Sequence, residues 1–309
     1  MLSQKFKETF STTDTIIIAF SAGPDSVFLA EQLIQNGYKN IILAHFNHHM
    51  KVRQGENNTD EKFVQNYAEK NNITFEIGHW EKPENSENKA RNARYLFLEN
   101  MRKKYQKIHN SHTAIIVTGH HKNDVAETVL LQFFRSGGIK SLSGITEFDS
   151  NRNLFRPILH LFKSEILQFL HTKKILYCTD SSNSESIFTR NFMRNEIIPL
   201  LETRFPNIQE HLSVQAHQFK ILENEIEIQA NNFLENTTFF ISDYLLLMNE
   251  VQADILRKIL YKKAFSRLFF QTFLAFLHKT TKDNISGKKL ETKYQIFTIR
   301  KGVLFIEEK

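Results

Sequence analysis

The sequence predicts an α/β protein in which a doubly wound parallel sheet precedes a smaller, mainly α-helical C-terminal domain. In the first half of the chain, short β-branched runs alternate with longer segments of helical period, which is the pattern of consecutive βαβ units. Beyond residue 180 the strand signal fades and helical patterns take over. Two domains are therefore predicted, over residues 1–205 and 206–309.

The predicted elements of the first domain alternate between strand and helix. Strands are predicted at residues 15–20, 40–46, 73–77 and 114–118. One helix is predicted to begin near residue 25, a second near residue 56, and a third covers residues 89–107. Apolar runs of this kind are typical of parallel strands covered on both faces. Ligands of such sheets bind at the carboxyl ends of the strands, where the strand order switches. The polar residues directly after each strand are therefore candidates for a site.

The second domain begins where a proline interrupts the helical pattern. Pro206 disfavours a helical residue before it, so a helix at residues 189–204 ends there. Further helices are predicted at residues 207–234, 250–262 and 267–278, followed by a hairpin at residues 288–307. The segment from 282 to 301 carries six basic residues against two acidic ones, a patch suited to a polyanion.

Composition excludes several classes of protein. The chain has 309 residues, of which 41% are hydrophobic and 24% charged, as in packed globular domains. Its net charge of +6 favours polyanions, although a solvated basic surface explains the number equally well. The single cysteine, Cys178, excludes an intrachain disulfide and a Cys-x-x-Cys site, and we interpret it as a core residue.

Neither a membrane span nor a secretion signal is predicted. The apolar stretch at residues 268–277 is about half of the roughly 20 residues that a membrane helix needs. The first residues lack the apolar region of a signal peptide. We therefore expect no membrane association and a cytoplasmic location.

A short loop after the first strand has the features of a phosphate site. A buried strand, a turn of small residues and a helix follow one another, which directs backbone N–H groups and a helix N-terminus at one point. The loop residues are Ser21, Ala22, Gly23, Pro24, Asp25 and Ser26. The hydroxyls of Ser21 and Ser26 can donate to phosphate oxygens, and Asp25 is suited to the Mg²⁺ that accompanies a nucleotide. No Gly-Lys-Ser/Thr follows, so this is not a Walker loop.

The loop resembles the Ser-Gly-Gly-x-Asp-Ser loop of the N-type ATP pyrophosphatase (PP-loop) family, whose members transfer AMP and release pyrophosphate. Ala22 stands where the family has glycine. A methyl group there is expected to be compatible with the loop only if its backbone φ is negative and the pyrophosphate does not need that space. The alternative interpretation is an accidental turn before a capped helix.

Two further strands end in polar residues at the same predicted edge. His45 and Asn47 end the second strand, and we interpret them as nucleotide or RNA contacts, because the zinc alternative lacks a complete ligand set. After the fourth strand, a helix at 100° per residue would place His120, Asp124 and Glu127 within roughly 60° of one another. These side chains either face a common cavity or form a solvated, acidic helix N-terminus.

Several motifs occur together in an order that resembles the tRNA(Ile)-lysidine synthetase family over about the first 205 residues. The motifs lie at residues 21–26, 45–48, 91–95, 119–128, 156–159, 180–183 and 190–194. Asn123 departs from the family, which usually has an aspartate there. Beyond residue 207 the chain resembles only the first, helical C-terminal domain of longer members, so a further terminal domain is expected to be absent.

The resemblance implies an adenine nucleotide α-hydrolase-like fold and a defined reaction. ATP would adenylate the 2-carbonyl oxygen of the wobble cytidine in tRNA(Ile) with a CAU anticodon, and L-lysine would then displace AMP. The catalytic residues implied are Asp25, Arg94, His120, Asp124 and Glu127, with the last two binding lysine. The residues implied for ATP are Ser21, Ala22, Gly23, Pro24, Asp25, Ser26, His45 and Asn47, with Asp25 also holding Mg²⁺.

The tRNA-binding residues implied are Arg190, Asn191 and Arg194, which would clamp phosphates of the anticodon stem from one helix. The alternative for this helix is an exposed basic flank. The mainly helical second domain is also expected to bind tRNA. The oligomeric state stays open, with a homodimer as one expectation.

Two other functions compete with this one. Another PP-loop tRNA-modifying enzyme is one alternative, but sulfur insertion and glutamine-dependent amide synthesis both need reactive cysteines, and Cys178 is alone. A non-catalytic ATP-binding module is the other alternative. Such a module would explain the loop and the sheet, but not the carboxylates near residue 124 or the basic second domain.

Overall fold

The buried strands of the first half form one six-stranded sheet in the computed structural model, which describes residues 1–47, 54–80, 87–110, 113–178, 189–236, 238–260, 265–282 and 287–308. The strands are Thr15–Ala19 (β1), Asn40–Asn47 (β2), Thr74–His79 (β3), Ala114–Val117 (β4), Phe148–Asp149 (β5) and Leu154–Phe155 (β6). Their spatial order is β3-β2-β1-β4-β6-β5. Every pair is parallel except β5 with β6, an antiparallel pair at the edge.

Helices lie between and after these strands. They are Gln4–Thr9 (α1), Pro24–Gln35 (α2), Gln54–Asn71 (α3), Glu87–Ile108 (α4), Lys122–Phe134 (α5), Ile139–Leu142 (α6), Lys163–Thr172 (α7), Thr189–Phe192 (α8), Ile198–Glu202 (α9) and Ile208–Leu234 (α10). A π-helical segment, Met193–Ile197, separates α8 from α9. The continuous helix predicted at residues 189–204 is therefore three successive segments.

Alternating residues of β1 bury opposite faces of the sheet. Ile16 and Ile18 belong to a core that also contains Phe6 of α1 and Phe28 of α2. The intervening Ile17 packs instead in a second core with Leu98 and Tyr105 of α4. Because strand side chains alternate between faces, an all-apolar strand can be buried only when helices cover both sides. The predicted doubly wound α/β class is confirmed.

The chain reverses its direction across the sheet between β1 and β4. From β1 it proceeds outward through β2 and β3, and it then returns to place β4 on the other side of β1. β1 pairs in parallel register with both neighbours, with Ile17 opposite Ile42 and Ile116. The crevice beyond the carboxyl ends of β1 and β4 is therefore the switch point, where ligands of such sheets bind.

The chain divides into two compact units, Met1–His217 and Gln218–Lys309. The division falls within α10, further along the chain than the predicted boundary after residue 205. The physical reason is that Leu212 and Ala216 of α10 pack with Val125 and Val129 of α5. The first turns of α10 thus contribute to the core of the first unit.

The second unit combines helices with a small antiparallel sheet. It contains Ile241–Leu246 (α11), Asn249–Ile259 (α12), Arg267–Lys282 (α13), Lys289–Glu291 (β7), Gln295–Arg300 (β8) and Val303–Glu308 (β9). Tyr244, Phe273 and Phe297 are buried at its centre. The predicted hairpin corresponds to β8 and β9, and β7 adds a third strand. None of the helices that the structure describes is long and apolar enough to cross a membrane.

Candidate functional site

The loop after β1 is folded around the side chain of Ser26. The Ser26 hydroxyl donates to the carbonyl of Gly23 at 3.0 Å and accepts from the backbone N–H of Ser21 at 3.2 Å. Pro24 occupies the first turn of α2, where its fixed φ suits the helix and its missing N–H costs nothing. The loop therefore presents the N-terminus of a twelve-residue helix, with its positive dipole end, at the switch point.

Ala22 adopts the left-handed conformation, with φ of 65°. The expectation that a methyl group is compatible with this loop only at a negative φ is therefore wrong. Its methyl group is fully buried in the core beside α2, and its carbonyl accepts a hydrogen bond from the backbone N–H of Cys178 at 2.9 Å. A left-handed alanine costs about 1 kcal/mol, and burial of a methyl group offsets this by about 0.8 kcal/mol.

Gly119 allows the loops after β1 and β4 to touch. A Cβ atom at this position would lie 2.9 Å from the backbone C and O atoms of Asp25, closer than real Cβ contacts. Gly23, by contrast, is not required by its geometry. Any residue can adopt its φ of −70°, and a Cβ atom there would meet only Ser21 Oγ at 3.4 Å. The close approach at Gly119 is what places Asp25 beside the residues that follow β4.

Asp25 is paired with a lysine that the sequence did not predict for the site. Lys163 Nζ lies 2.5 Å from Asp25 Oδ1, although the two residues are 138 positions apart. His121 Nε2 approaches the same oxygen at 3.8 Å. Glu165 is the sequence signal that could have located this lysine. Its side chain accepts a hydrogen bond from the backbone N–H of Phe162 at 2.6 Å. This bond caps the helix, so that α7 begins at Lys163.

Asn123, the departure from the family pattern, fixes the start of α7. Its Oδ1 accepts from the backbone N–H of Lys163 at 2.9 Å, and its Nδ2 donates to Gln209 Oε1 at 2.5 Å. Asn123 therefore ties α5 to α7 and to the start of α10. An amide can make both bonds at once, because it has a donor and an acceptor.

Asp124 and Glu127 lie on α5, and both are buried. Their side chains are 10% and 2% exposed. Helix α5 begins at Lys122 because Asp124 Oδ2 accepts from the backbone N–H of His121 at 2.9 Å, which makes His121 the N-cap. His120 precedes the helix. The prediction that His120 shares a helical face with the two carboxylates is therefore wrong, although burial excludes the alternative of a solvated helix end.

Two arginines bind these carboxylates. Arg190 donates to Glu127 Oε2 at 2.9 Å and to Asp124 Oδ1 at 3.2 Å. Arg194 donates to Glu127 Oε1 at 2.5 Å and to Asp124 Oδ1 at 3.1 Å. Two partly exposed positive charges thus balance two buried negative charges, as burial of charge requires. Asn191 lies beside Arg190 in α8.

Burial opposes the charges of this cluster, and pairing outweighs burial. Burial alone would raise the pKa of Asp124, but His121 and Arg190 lower it below its ordinary value. Burial alone would lower the pKa of Arg194, but its bond to Glu127 raises it. Both groups are therefore charged at neutral pH. A cavity of about 340 Å³ opens beside them, lined in part by Glu127, Arg194 and Lys163.

His120 is neutral at physiological pH. Its Nδ1 lies 2.7 Å from Thr118 Oγ1, and burial, with the charges of Arg156, Arg190 and Arg94 nearby, lowers its pKa to about 3 despite the opposing effect of Asp124. Arg94 is therefore a neighbour of His120, as expected for two groups predicted to act together. Their catalytic roles stay predictions.

His45 and Asn47 lie at the carboxyl end of β2, with their side chains turned to protein groups. His45 Nδ1 is 2.9 Å from the carbonyl of Phe20, and burial lowers its pKa. Asn47 Nδ2 donates to Glu61 Oε1 at 2.6 Å. Their predicted contacts with ATP stay predictions. The motif positions 48 and 180–183 lie outside the described residues.

Sequence comparison relates residues 1–201 to the PP-loop domain family. A tRNA(Ile)-lysidine synthase of Mesoplasma florum is 29% identical over 266 residues, which are 84% of this chain and 62% of that protein. The tRNA(Ile)-lysidine synthase of Streptococcus mutans is 32% identical over 255 residues, which are 79% of this chain and 56% of that protein. The chain thus spans about half the length of the curated relatives it matches.

Structural comparison supports the fold. The U34-tRNA thiolase NcsA from Methanococcus maripaludis, solved with its [4Fe-4S] cluster, superposes with a TM-score of 0.52 at 14% identity. The match covers 69% of this chain and 74% of that chain. At this identity the likeness concerns the fold alone.

We predict that Gly119→Ala destabilises the protein by about 1–3 kcal/mol, because its Cβ would overlap the backbone of Asp25. Gly138→Ala is the matched control, since a Cβ there meets nothing within 4 Å. Denaturant unfolding of both variants measures the difference. Equal unfolding free energies would show that the close approach at Gly119 does not constrain the loop.

We also predict that stability falls as the pH is lowered from about 6.5 toward 3. The pKa of His120 is about 3 in the folded state and about 6.5 when unfolded, so the unfolded chain binds the extra proton between these values. The effect is at most about 1.4 kcal/mol per pH unit. His120→Asn is expected to flatten the pH dependence of the unfolding free energy, and parallel curves for both proteins would contradict the assignment.

Proposed function

The chain belongs to the PP-loop domain family, and on that premise we propose that it is a tRNA(Ile)-lysidine synthetase. It would use ATP to join L-lysine to the 2-carbon of the wobble cytidine in tRNA(Ile) with a CAU anticodon. The observation that carries the proposal is the placement of a phosphate-type loop beside a buried Asp124–Glu127 pair at the switch point. The names of the relatives from Mesoplasma florum and Streptococcus mutans support the same reaction.

In the first step the loop holds the phosphates of ATP. The 2-carbonyl oxygen of cytidine bonds to the α-phosphorus, and pyrophosphate leaves toward the N-terminus of α2. The helix dipole and backbone N–H groups there favour the departing negative charge. We assign Ser21, Gly23 and Ser26 to the phosphates, and His45 and Asn47 to the nucleoside end of ATP, beyond β2.

Asp25 is the residue we propose for Mg²⁺. Among the described residues no group of three or more His, Cys, Asp or Glu side chains is arranged as a metal site, so a site held by protein ligands alone is not proposed. Mg²⁺ commonly binds one or two carboxylates and completes its shell with phosphate oxygens and water, and the single carboxylate of Asp25 fits that mode. When bound, the ion would neutralise charge on the phosphates.

In the second step the ε-amine of lysine attacks C2 of the adenylated cytidine, and AMP leaves with the former carbonyl oxygen. Lysine brings two ammonium groups, one of which must lose a proton before attack. Asp124 and Glu127 are the anionic partners that we propose for these groups. Neutral His120 neighbours Asp124, and cationic Arg94 neighbours His120. We propose that both contact the activated base or the α-phosphate.

Binding of lysine requires a change in the arginine–carboxylate cluster. The charges of Asp124 and Glu127 are already balanced by Arg190 and Arg194, so an ammonium group gains a partner only when a guanidinium leaves. Arg190 and Arg194 are one third or more exposed, which gives them a path to solvent. We propose that a released arginine, with Asn191, binds tRNA phosphates, since arginine suits bidentate phosphate contacts.

The second unit is proposed to bind tRNA through its basic residues. They cluster on and around the three-stranded sheet, at Lys288, Lys289, Lys293, Arg300 and Lys301. A protein that acts on tRNA is expected in the cytoplasm. A homodimer stays a prediction.

We predict that AMP forms only when ATP, L-lysine and tRNA are all present. Release of AMP, measured with each amino acid in turn and with or without bulk tRNA, tests the reaction and its substrates together.

Asp124→Asn and Glu127→Gln should raise the Michaelis constant for lysine by about tenfold or more, because each removes a charged partner worth about 1.5–3 kcal/mol. An unchanged Michaelis constant would refute the assignment, and no AMP under any condition would favour a non-catalytic module.

We predict that Arg190→Gln weakens tRNA binding while it improves lysine binding. One phosphate contact is lost, which should reduce the slope of log K against log salt by about 0.9. One competitor for Asp124 and Glu127 is also lost, so the lysine Michaelis constant should fall. Titration with tRNA at several salt concentrations, and lysine kinetics at saturating tRNA, measure the two effects. A higher Michaelis constant for lysine would contradict the exchange.

A further inference from the structure

Three arginines contact the ring of Tyr95, and a fourth interacts with it electrostatically. Arg91 and Arg94 lie on α4, and their Cζ atoms are 5.3 and 5.5 Å from the ring centroid. Arg152 approaches from the turn before β6, with its Cζ at 5.1 Å. Arg156 follows β6 and is electrostatically coupled to Tyr95, Arg91 and Arg152. These four side chains are named the Tyr95 arginine cluster, and three of them have no role in the reaction described above.

The cluster carries more positive charge than its surroundings balance. Within the described residues, its one ion pair joins Arg152 Nη1 to Asp149 Oδ2 at 3.1 Å. Its other side-chain hydrogen bonds go to neutral oxygens: Arg91 donates to the Tyr95 hydroxyl at 3.3 Å, and Arg156 donates to the Thr146 carbonyl at 2.6 Å. By contrast, Arg190 and Arg194 are each paired with two carboxylates.

Two cluster members have buried donor atoms that lack acceptors. The Nε atoms of Arg94 and Arg156 are inaccessible and have no hydrogen-bond partner among the described residues. Arg156 as a whole is only 5% exposed. Burial lowers the pKa of both groups, and the neighbouring Arg91 lowers it further. Buried guanidinium N–H groups without acceptors are unfavourable, so this arrangement is expected to be completed by an anion.

The cluster lies beside the reacting centre and has an open side. Arg156 follows the carboxyl end of β6, and β6 pairs with β4, whose carboxyl end leads to His120. Arg94 and Arg156 are both electrostatic neighbours of His120. The side chain of Arg152 is 51% exposed. The cluster therefore extends from an exposed arginine, Arg152, to the guanidiniums that neighbour His120.

We propose that the Tyr95 arginine cluster is a binding site for a backbone phosphate of the RNA substrate, adjacent to the nucleotide that is modified. The proposal rests on the proposed function for the identity of the RNA, but not for the chemistry of the site. Guanidinium forks match phosphate oxygens, and contacts of this kind position a nucleic acid without reading its sequence. RNA is favoured over ATP because the loop at the N-terminus of α2 already offers the phosphates of ATP a site, and Arg94 alone among the four arginines has a proposed role at the activated nucleotide.

Neutral variants of the outer arginines test the site. Arg91→Gln and Arg152→Gln should each weaken binding of an unmodified tRNA(Ile) transcript about fivefold at 0.1 M salt, and reduce the slope of log K against log salt by about 0.7–0.9. Lys103→Gln is the matched control, because it removes one charge from an exposed side chain of the same helix, α4. Binding of ATP alone should be unchanged in all three variants.

Two results would overturn the proposal. If Arg91→Gln and Arg152→Gln bind the transcript like Lys103→Gln, the cluster does not contact RNA. If they lose affinity for ATP but not for the transcript, the anion is a nucleotide phosphate. Because these are binding measurements without turnover, they remain distinct from the test of lysine-dependent AMP release.

Thermal unfolding separates a binding role from a structural one. Removing one of several mutually repelling charges should leave the melting temperature of Arg91→Gln, without RNA, equal to or above that of the unchanged protein. Inorganic phosphate should raise the melting temperature of the unchanged protein more than that of the variant. A lower melting temperature combined with unchanged transcript affinity would show that Arg91 only supports the fold, and would overturn the proposal.

Discussion

The contact between Gly119 and the backbone of Asp25 sets the geometry on which the rest of the site depends. β1 and β4 are adjacent and parallel, so the loops that leave their carboxyl ends meet at the switch point. Only a residue without a Cβ lets them touch. This contact brings the helix N-terminus of α2 next to the capped start of α5, and so places the PP-loop beside Asp124 and Glu127. Lys163, tied to Asn123, closes the arrangement from α7.

Charge at this edge of the sheet is distributed in two different ways. Around Asp124 and Glu127, positive and negative groups balance, and the cluster is stable as it stands. Around Tyr95, arginines outnumber the carboxylates within reach, and buried N–H groups lack acceptors. Because buried charge is tolerated only when it is paired, the first cluster must open to admit a ligand, whereas the second needs an anion to become complete. The two clusters flank His120, whose neutrality follows from burial among arginines.

Most strands and the phosphate-type loop were predictable because local pattern determines them. A β-branched, largely apolar run such as β1 favours a strand covered on both faces, and a turn of small residues before a helix has few alternative geometries. Very short elements, and features that depend on contacts with distant parts of the chain, were not predictable. β5 and β6 have two residues each and form only against β4 and each other. Ala22 is left-handed because the core accepts its methyl group. His120 falls outside α5 because a cap made by Asp124 starts the helix later than periodicity suggests.

The sequence by itself determined the fold class, the position of the PP-loop and the residue types at the edge of the sheet, because these depend on contacts between near neighbours in the chain. Only the tertiary structure decided which of those residues meet. Asp25 pairs with Lys163 across 138 positions, Arg190 and Arg194 bind carboxylates of α5, and Arg152 before β6 meets Tyr95 of α4. Such pairs form because strands and helices pack together in the folded protein. The sequence pattern alone does not give the spatial distance between segments that are far apart in the chain.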